Sequence, residues 1–185
     1  GAKGKGTLVV LNDEIHYARN VMKTNTTTVQ TFVSINRGPA GVVNTGKIQW
    51  FEPMDRKVGP ATGFSVDALD KLPRVDVIYA HANMSADLID AAIKNGAKGL
   101  VIAGVGDGNM TTPALDAVTR AAKSGIVVVR STRLASGITL RNNEVNDDEK
   151  GLVASGELNP AKSRVLLQLA LTKTNDPVRI QRMFY

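Results

Sequence analysis

A single lysine followed by a run of hydroxyls, Lys23-Thr24-Asn25-Thr26-Thr27-Thr28, is the place in this chain where local composition points to acyl-transfer chemistry. Lysine is a poor catalyst at its ordinary pKa. Held on a rigid element and partly desolvated, it can pass protons to and from a hydroxyl nucleophile. The same residues also read as a surface lysine in a Thr-rich loop, and composition leaves both readings open. Two other segments carry polar groups that a site could use. Gly104-Val105-Gly106-Asp107-Gly108-Asn109 has the composition of a phosphate-cradling turn, but the G-x-G-x-x-G spacing fails at its last position. What remains is a glycine turn that presents the Asn109 amide to a small polar ligand, or a purely structural turn. Asn142-Asn143-Glu144-Val145-Asn146-Asp147-Asp148-Glu149 is acidic, yet lacks the glycine and the terminal bidentate glutamate of a calcium loop. It reads as a solvated loop, or as the source of a carboxylate that pairs with a cationic substrate group. His16 and His81 are the only histidines, and neither has a sequence neighbour that suggests a Ser–His pair or a metal site.

The totals bound the class of protein that positions these groups. The 185 residues suffice for one domain, or for one domain and part of another. With 43% hydrophobic residues but only 4% aromatic ones, the core must be aliphatic. There is no apolar run of about 18 residues, so no membrane-spanning helix is expected, and no signal peptide is visible. The start, Gly1-Ala2-Lys3-Gly4-Lys5-Gly6, has no initiator methionine and is read as that of a processed or truncated chain. The absence of cysteine excludes disulfides, thiolate zinc sites and a cysteine nucleophile. The net charge of +6 is scattered rather than blocked, which favours a basic, soluble surface over a nucleic-acid patch.

The elements follow from patterning. Residues 7–15, apolar at 8–11, read as a buried strand. Val29 to Ile35 is ambiguous between helix and strand. Asn44-Thr45-Gly46 between two apolar runs signals a hairpin. Residues 53–73, punctuated by Pro53, Gly59, Pro60, Gly63 and Pro73, read as a linker or a long exposed loop. Beyond it the pattern becomes regular. Strands are expected at 75–79, 99–103 and 126–129. Between them lie a helix from Ser85 to Gly96, with Leu88, Ile89, Ala92 and Ile93 inward, and one capped by Thr112, with Leu115, Val118 and Ala122 inward. Strand and helix alternating at this spacing predicts βαβ crossovers and a parallel sheet. Asn159-Pro160 and Asp176-Pro177 open two more helices, the first apolar almost all round and so expected to be buried. The fold class is therefore α/β. Open parallel sheets bind ligands at the carboxyl ends of their strands, where the 104–109 and 142–149 segments fall. On residues alone, an enzyme and a non-enzymatic small-ligand-binding α/β module both remain open.

Several of these segments together resemble the bacterial type II L-asparaginases of the asparaginase/glutaminase family. The residues that carry the likeness are Val10-Leu11-Asn12-Asp13, Arg19, Lys23-Thr24-Asn25-Thr26-Thr27, Gly38-Pro39-Ala40-Gly41 and Ala103-Gly104-Val105-Gly106-Asp107-Gly108-Asn109. It continues through Val129-Arg130-Ser131-Thr132-Arg133, Leu158-Asn159-Pro160-Ala161-Lys162 and Asp176-Pro177. The segments occur in order, with the family's spacing, over the whole chain.

The resemblance implies that residues 1–52 are the last part of a larger N-terminal α/β catalytic domain. Residues 53–73 would be the linker, and residues 74–185 a smaller C-terminal α/β domain with a parallel sheet flanked by helices. It implies a homotetramer, with active sites formed between the N-terminal domain of one subunit and the C-terminal domain of its neighbour, and a periplasmic location. Lys23 matches the family's proton-transfer lysine, which works with a threonine and an aspartate. Asn109 and Glu144 match positions that hold the amino-acid head of the substrate, Glu144 near its ammonium group. Asp107 stands where many relatives have an uncharged residue. The family's G-G-T-I-type turn with its nucleophilic threonine, and its H-G-T-D-T segment, are not among these 185 residues, and Thr24 and Thr26–Thr28 align beside the lysine, not with the nucleophile. The expectation is a fragment, inactive alone. The full enzyme would hydrolyse L-asparagine to L-aspartate and ammonia, with minor glutaminase activity and no cofactor, metal, nucleic acid or membrane.

Overall fold

In the computed structural model, which describes every residue except Glu52 and Met54, the chain divides into two units, Gly1–Ala68 and Leu69–Tyr185. Glu52 at the end of the expected first domain and Met54 in the expected linker lie outside the described residues. The first unit is built from tight hairpins. Strands β1 (Leu8–Leu11) and β2 (Glu14–Tyr17) pair antiparallel across Asn12-Asp13, both with positive φ (49° and 62°). Strands β5 (Gly41–Asn44) and β6 (Lys47–Trp50) pair across Thr45-Gly46, with φ of 48° and 76°. Two successive positive φ values match the right-handed twist of the flanking strands, which is why such turns close two-residue hairpins. Together they make a four-stranded antiparallel sheet in the order β1-β2-β5-β6. The buried strand expected over 7–15 is therefore corrected: it is a hairpin arm, with Val10 exposed, that folds back at Asn12. The core here is small: Ile15, Tyr17 and Ala40, with Leu8, Val43 and Trp50 against them. Gly41 is required where β5 meets β6, since a Cβ there would stand 2.5 Å from the Gln49 carbonyl oxygen. The ambiguous 29–35 stretch supplies only β4 (Phe32–Val33), which pairs with β3 (Met22–Lys23) in a separate two-stranded ribbon.

The second unit is a four-stranded, all-parallel sheet: β7 (Val75–Tyr79), β8 (Gly99–Gly104), β9 (Val127–Thr132) and β10 (Val153–Ala154), neighbours in chain order. Strands laid down side by side in chain order, with crossovers of one hand, put their connecting helices on one face. On that face α1 (Asp87–Lys94) and α2 (Thr112–Lys123) bury Ile89, Ala92, Ala117 and Val118 against Ile78, Leu100, Ile102 and Val128. The short α3 (Asp147–Lys150) follows β9 and precedes β10. The other face carries Val75, Val101, Val127, Val129 and Val153, the alternate residues of the same strands. It is covered by α4 (Pro160–Ala170) and α5 (Pro177–Phe184) through Leu167, Ala170, Ile180 and Phe184.

The caps explain where the helices begin. The Asn159 side chain accepts from Lys162 N (3.0 Å) and that of Asp176 from Val178 N (2.9 Å), each followed by proline at the first helical position. Five expectations are corrected. α1 starts at Asp87 rather than directly after Ser85, and Leu88 faces solvent, because Ile89 and Ala92 already fill the seam. The N-cap position of α2 is Thr111, whose hydroxyl donates to the Met84 carbonyl at 2.6 Å instead of capping. α4 is one-sided rather than buried all round, with Val165 exposed, because only one of its faces meets the sheet. The third strand runs on through Arg130, Ser131 and Thr132, all buried, and β10 adds a fourth.

Candidate functional site

Lys23 lies on β3, exposed, and opposite Phe32 in the ribbon register. The segment beside it builds its own loop through the Thr24 hydroxyl, the Asn25 side chain and the backbone N–H groups of Thr27 and Thr28. The Thr24 hydroxyl donates to the Thr31 carbonyl at 2.9 Å, and the Thr31 hydroxyl donates to the Asn25 carbonyl at 2.6 Å. The Asn25 side-chain oxygen accepts from Thr27 N and Thr28 N at 3.0 and 3.2 Å, an Asx turn. The run thus acts as a brace that holds the end of β3. The β4 end of the ribbon is tied to the main sheet of the unit: Ser34 Oγ lies 3.0 Å from His16 Nδ1 on β2, both side chains buried. The sequence offers no sign of this pair, because 18 residues separate its members. Buried almost completely, it has no opening for a substrate and serves as a tie. His81, exposed, holds the neighbouring Ala82 carbonyl at 2.8 Å.

The second unit brings the other two expected residues together. Asn109 Nδ2 donates to Glu144 Oε2 at 3.0 Å, across 35 residues of chain. Asn109 arrives on the turn that leaves β8, and Glu144 on the loop that leaves β9, both at carboxyl ends of the parallel strands. Val105 and Asn109 exchange both backbone hydrogen bonds (2.8 Å each), so neither amide points outward. Gly104 is pressed against the turn itself, since a Cβ there would meet Gly108 backbone at 2.4 Å. Gly104 is there for close approach, Gly106 and Gly108 take positive φ (53° and 79°), and the turn presents the Asn109 side chain.

Beneath the pair sits a residue whose weight composition could not show. Arg130 on β9 is fully buried, as is Asp147 at the start of α3. Arg130 Nε and Nη2 donate to the two Asp147 oxygens at 2.6 and 2.7 Å. Its Nη1 donates to the Asp107 carbonyl (2.8 Å), with a longer approach to that of Gly108 (3.4 Å), and Nη2 also donates to the Leu140 carbonyl at 3.0 Å. A guanidinium offers five N–H donors in a fixed fork, and here all five are directed at acceptors. One side chain therefore ties the turn bearing Asn109 to the loop bearing Glu144. The sequence signal that could have found it was a lone arginine continuing an aliphatic strand, Ile126 to Val129.

The loop after Glu144 is set by further local bonds. Asn142 takes φ 55°, a left-handed conformation that asparagine tolerates, and its backbone N–H donates to Asp147 Oδ2 at 2.9 Å. Val145 is buried, and Asn146 caps α3 by accepting from Glu149 N at 3.1 Å. Arg141 is ion-paired with Asp148. Its guanidinium, and then the Asn142 amide, hold the Asp148 carboxyl below the usual carboxylate range. The C-terminal Tyr185 reaches the same loop: burial pushes its phenol up, against the opposing effect of the Arg141 backbone N–H. Among the described residues no group of three or more His, Cys, Asp or Glu side chains could hold a metal ion. No helix among them is long and apolar enough to cross a membrane.

Comparison with known proteins adds to this geometry. Residues 74–184 match the glutaminase/asparaginase C-terminal domain, and residues 1–56 the N-terminal asparaginase domain. The chain is 47% identical over 183 residues to a probable periplasmic L-asparaginase of Haemophilus influenzae, covering 99% of this chain and 52% of the relative. It is 48% identical over 180 residues to L-asparaginase 2 of Escherichia coli, covering 97% and 52% respectively. It is 51% identical over 183 residues to L-asparaginase 2 of Bacillus subtilis, covering 99% and 48%. The chain thus spans about half the length of the curated relatives it matches. With a domain match over residues 74–184 and a parallel sheet flanked by helices at the same place, the chain belongs to the glutaminase/asparaginase family.

Proposed function

We propose that the complete protein carrying this chain is an L-asparaginase, which hydrolyses L-asparagine to L-aspartate and ammonia, with glutamine as a poorer substrate. The observation that carries the reading is the Asn109–Glu144 contact of 3.0 Å at the carboxyl ends of β8 and β9. An amide and a carboxylate side by side suit the head of an amino acid. The Glu144 carboxylate faces the α-ammonium group, a charge-assisted contact, while Asn109 orients it and offers an amide to the α-carboxylate. Residues 1–52 are then the end of the N-terminal catalytic domain, 53–73 the linker and 74–185 the C-terminal domain.

The chemistry is acyl transfer to a threonine hydroxyl supplied from outside these residues. The hydroxyl attacks the side-chain carboxamide carbon, ammonia leaves, and water cleaves the resulting ester to release aspartate. Lys23 passes the proton that the hydroxyl gives up and the leaving amine takes. Its exposure in this chain fits a group whose partners come from elsewhere. An amide hydrolysis run by a hydroxyl nucleophile and a lysine calls for no cofactor. The full assembly is a homotetramer, in which the C-terminal domain of one subunit lends Asn109 and Glu144 to its neighbour's site. The periplasm is its compartment, in keeping with the name of the Haemophilus relative. The test is ammonia release from L-asparagine by the complete protein, with aspartate formed in equal amount. No turnover refutes the reading. Robust turnover by the 185-residue chain alone would show that the nucleophile lies within it after all.

A further inference from the structure

The carboxylate of Asp107 has no part in the reading above, yet it is bonded at both oxygens. Asp107 Oδ1 accepts from the Leu140 backbone N–H at 2.7 Å, and Oδ2 accepts from Asn143 Nδ2 at 2.8 Å. Both donors belong to the loop that ends in Glu144, and Asn143 is the residue directly before it. Asp107 itself stands two residues before Asn109 in the turn closed by the Val105–Asn109 bonds. Arg130 joins the same two segments from below, through the Asp107 and Leu140 carbonyls. Leu140 is therefore held at both ends of its peptide groups: its N–H by the Asp107 carboxylate and its carbonyl by Arg130.

We propose that Asp107 is a positioning residue. Its carboxylate clasps the 140–143 segment and so keeps the Glu144 carboxylate within reach of Asn109 and of the substrate ammonium. The proposal rests on the reading of Asn109 and Glu144 as the residues that hold the substrate head. Glu144 is exposed, and the bond from Asn109 alone fixes one oxygen of a flexible side chain. A carboxylate that accepts two N–H donors from one loop fixes where that loop's backbone stands, and with it the origin of the glutamate side chain. Charge-assisted bonds of this kind are about twice as strong as neutral ones. The hydrogen-bonding pattern, more than the charge, is what the clasp needs. An asparagine in place of Asp107 keeps an acceptor for the Leu140 N–H, and the Asn143 amide can rotate to present its oxygen to the new NH2 group.

The experiment uses the complete protein with Asp107→Ala and Asp107→Asn. Two quantities are read: KM and kcat for L-asparagine, and hydrogen–deuterium exchange at the Leu140 amide. Asp107→Ala is expected to raise KM about tenfold, the equivalent of one lost bond of about 1.4 kcal/mol, while kcat changes much less. Leu140 exchange should quicken about tenfold, with the β8 and β9 amides unaffected. Asp107→Asn should restore most of both. An unchanged KM in Asp107→Ala overturns the proposal, as does an asparagine variant as impaired as the alanine one, which would make the charge itself the cause. Were the wild type inactive on L-asparagine, the functional reading would fall by itself. The exchange arm would still decide the clasp: unaltered Leu140 protection in Asp107→Ala would refute it.

Discussion

Removal of the Asp147 carboxylate probes the deepest part of the site. Asp147→Ala leaves the Arg130 guanidinium in a fully buried setting with its two contacts of 2.6 and 2.7 Å gone, and it also strips the Asn142 N–H of its acceptor. Breaking a buried ion pair by deleting one partner costs about 3–5 kcal/mol, because the remaining charge is neither hydrated nor paired. For a unit of this size that corresponds to a fall in melting temperature of roughly 10–20 °C. Calorimetry of the complete protein measures it. The paired variant Arg130→Met with Asp147→Leu removes both charges, so it should cost less than the sum of the two single substitutions. It will not regain full stability, because the Asp107 and Leu140 carbonyls also lose their donors. A loss below about 1 kcal/mol for Asp147→Ala would refute the reasoning, since a surface pair costs no more than that. Equal and additive effects of the two single substitutions would refute it as well.

The remaining predictions concern the chemistry and the loop surface. Lys23→Met in the complete protein should lower kcat by about 10²–10⁴, the usual share of a positioned proton-transfer group, as read by ammonia release. Near-normal turnover would end its proposed role. Asp148, held below its ordinary value of 3.8 by Arg141, contributes stability that is present above that value and lost as pH falls through its lower folded value. The wild type should therefore exceed Asp148→Asn in melting temperature at neutral pH, and the gap should close in acid. A gap independent of pH would show that the pair does not act through charge.

The parts of the fold legible in the sequence were those written in local patterns. Val75–Tyr79 and Gly99–Gly104 are short aliphatic runs bounded by turn residues, and both are strands of the parallel sheet. Asn159-Pro160 and Asp176-Pro177 couple a side-chain acceptor to a residue without an N–H, and both open helices. The hairpin at Thr45-Gly46 was signalled, whereas its twin at Asn12-Asp13 was not, because the apolar run before it resembles a buried strand. β10 is not legible in the sequence, since Val153-Ala154 is too short to show any period. Val165 and Leu88 were expected inside because they are apolar; which face of a helix is covered depends on the neighbours it meets. At the site, the family likeness picked out Asn109 and Glu144, and the fold sets them 3.0 Å apart. Arg130 was visible only as part of a segment, and Asp107 only as an odd charge. Their roles rest on contacts 10 to 36 residues away along the chain, which no local pattern encodes.

The central claim is that Glu144 meets the α-ammonium group of asparagine. It is tested most directly by comparing L-asparagine with succinamate, the same amide without that group, on wild-type and Glu144→Ala complete protein. In the wild type, kcat/KM for succinamate should be lower by about 10–100-fold, the worth of one charge-assisted contact. In Glu144→Ala the gap between the two compounds should shrink about tenfold, because the partner of the ammonium is gone. A gap of the same size in both proteins would contradict the account and place the recognition of the amino-acid head elsewhere.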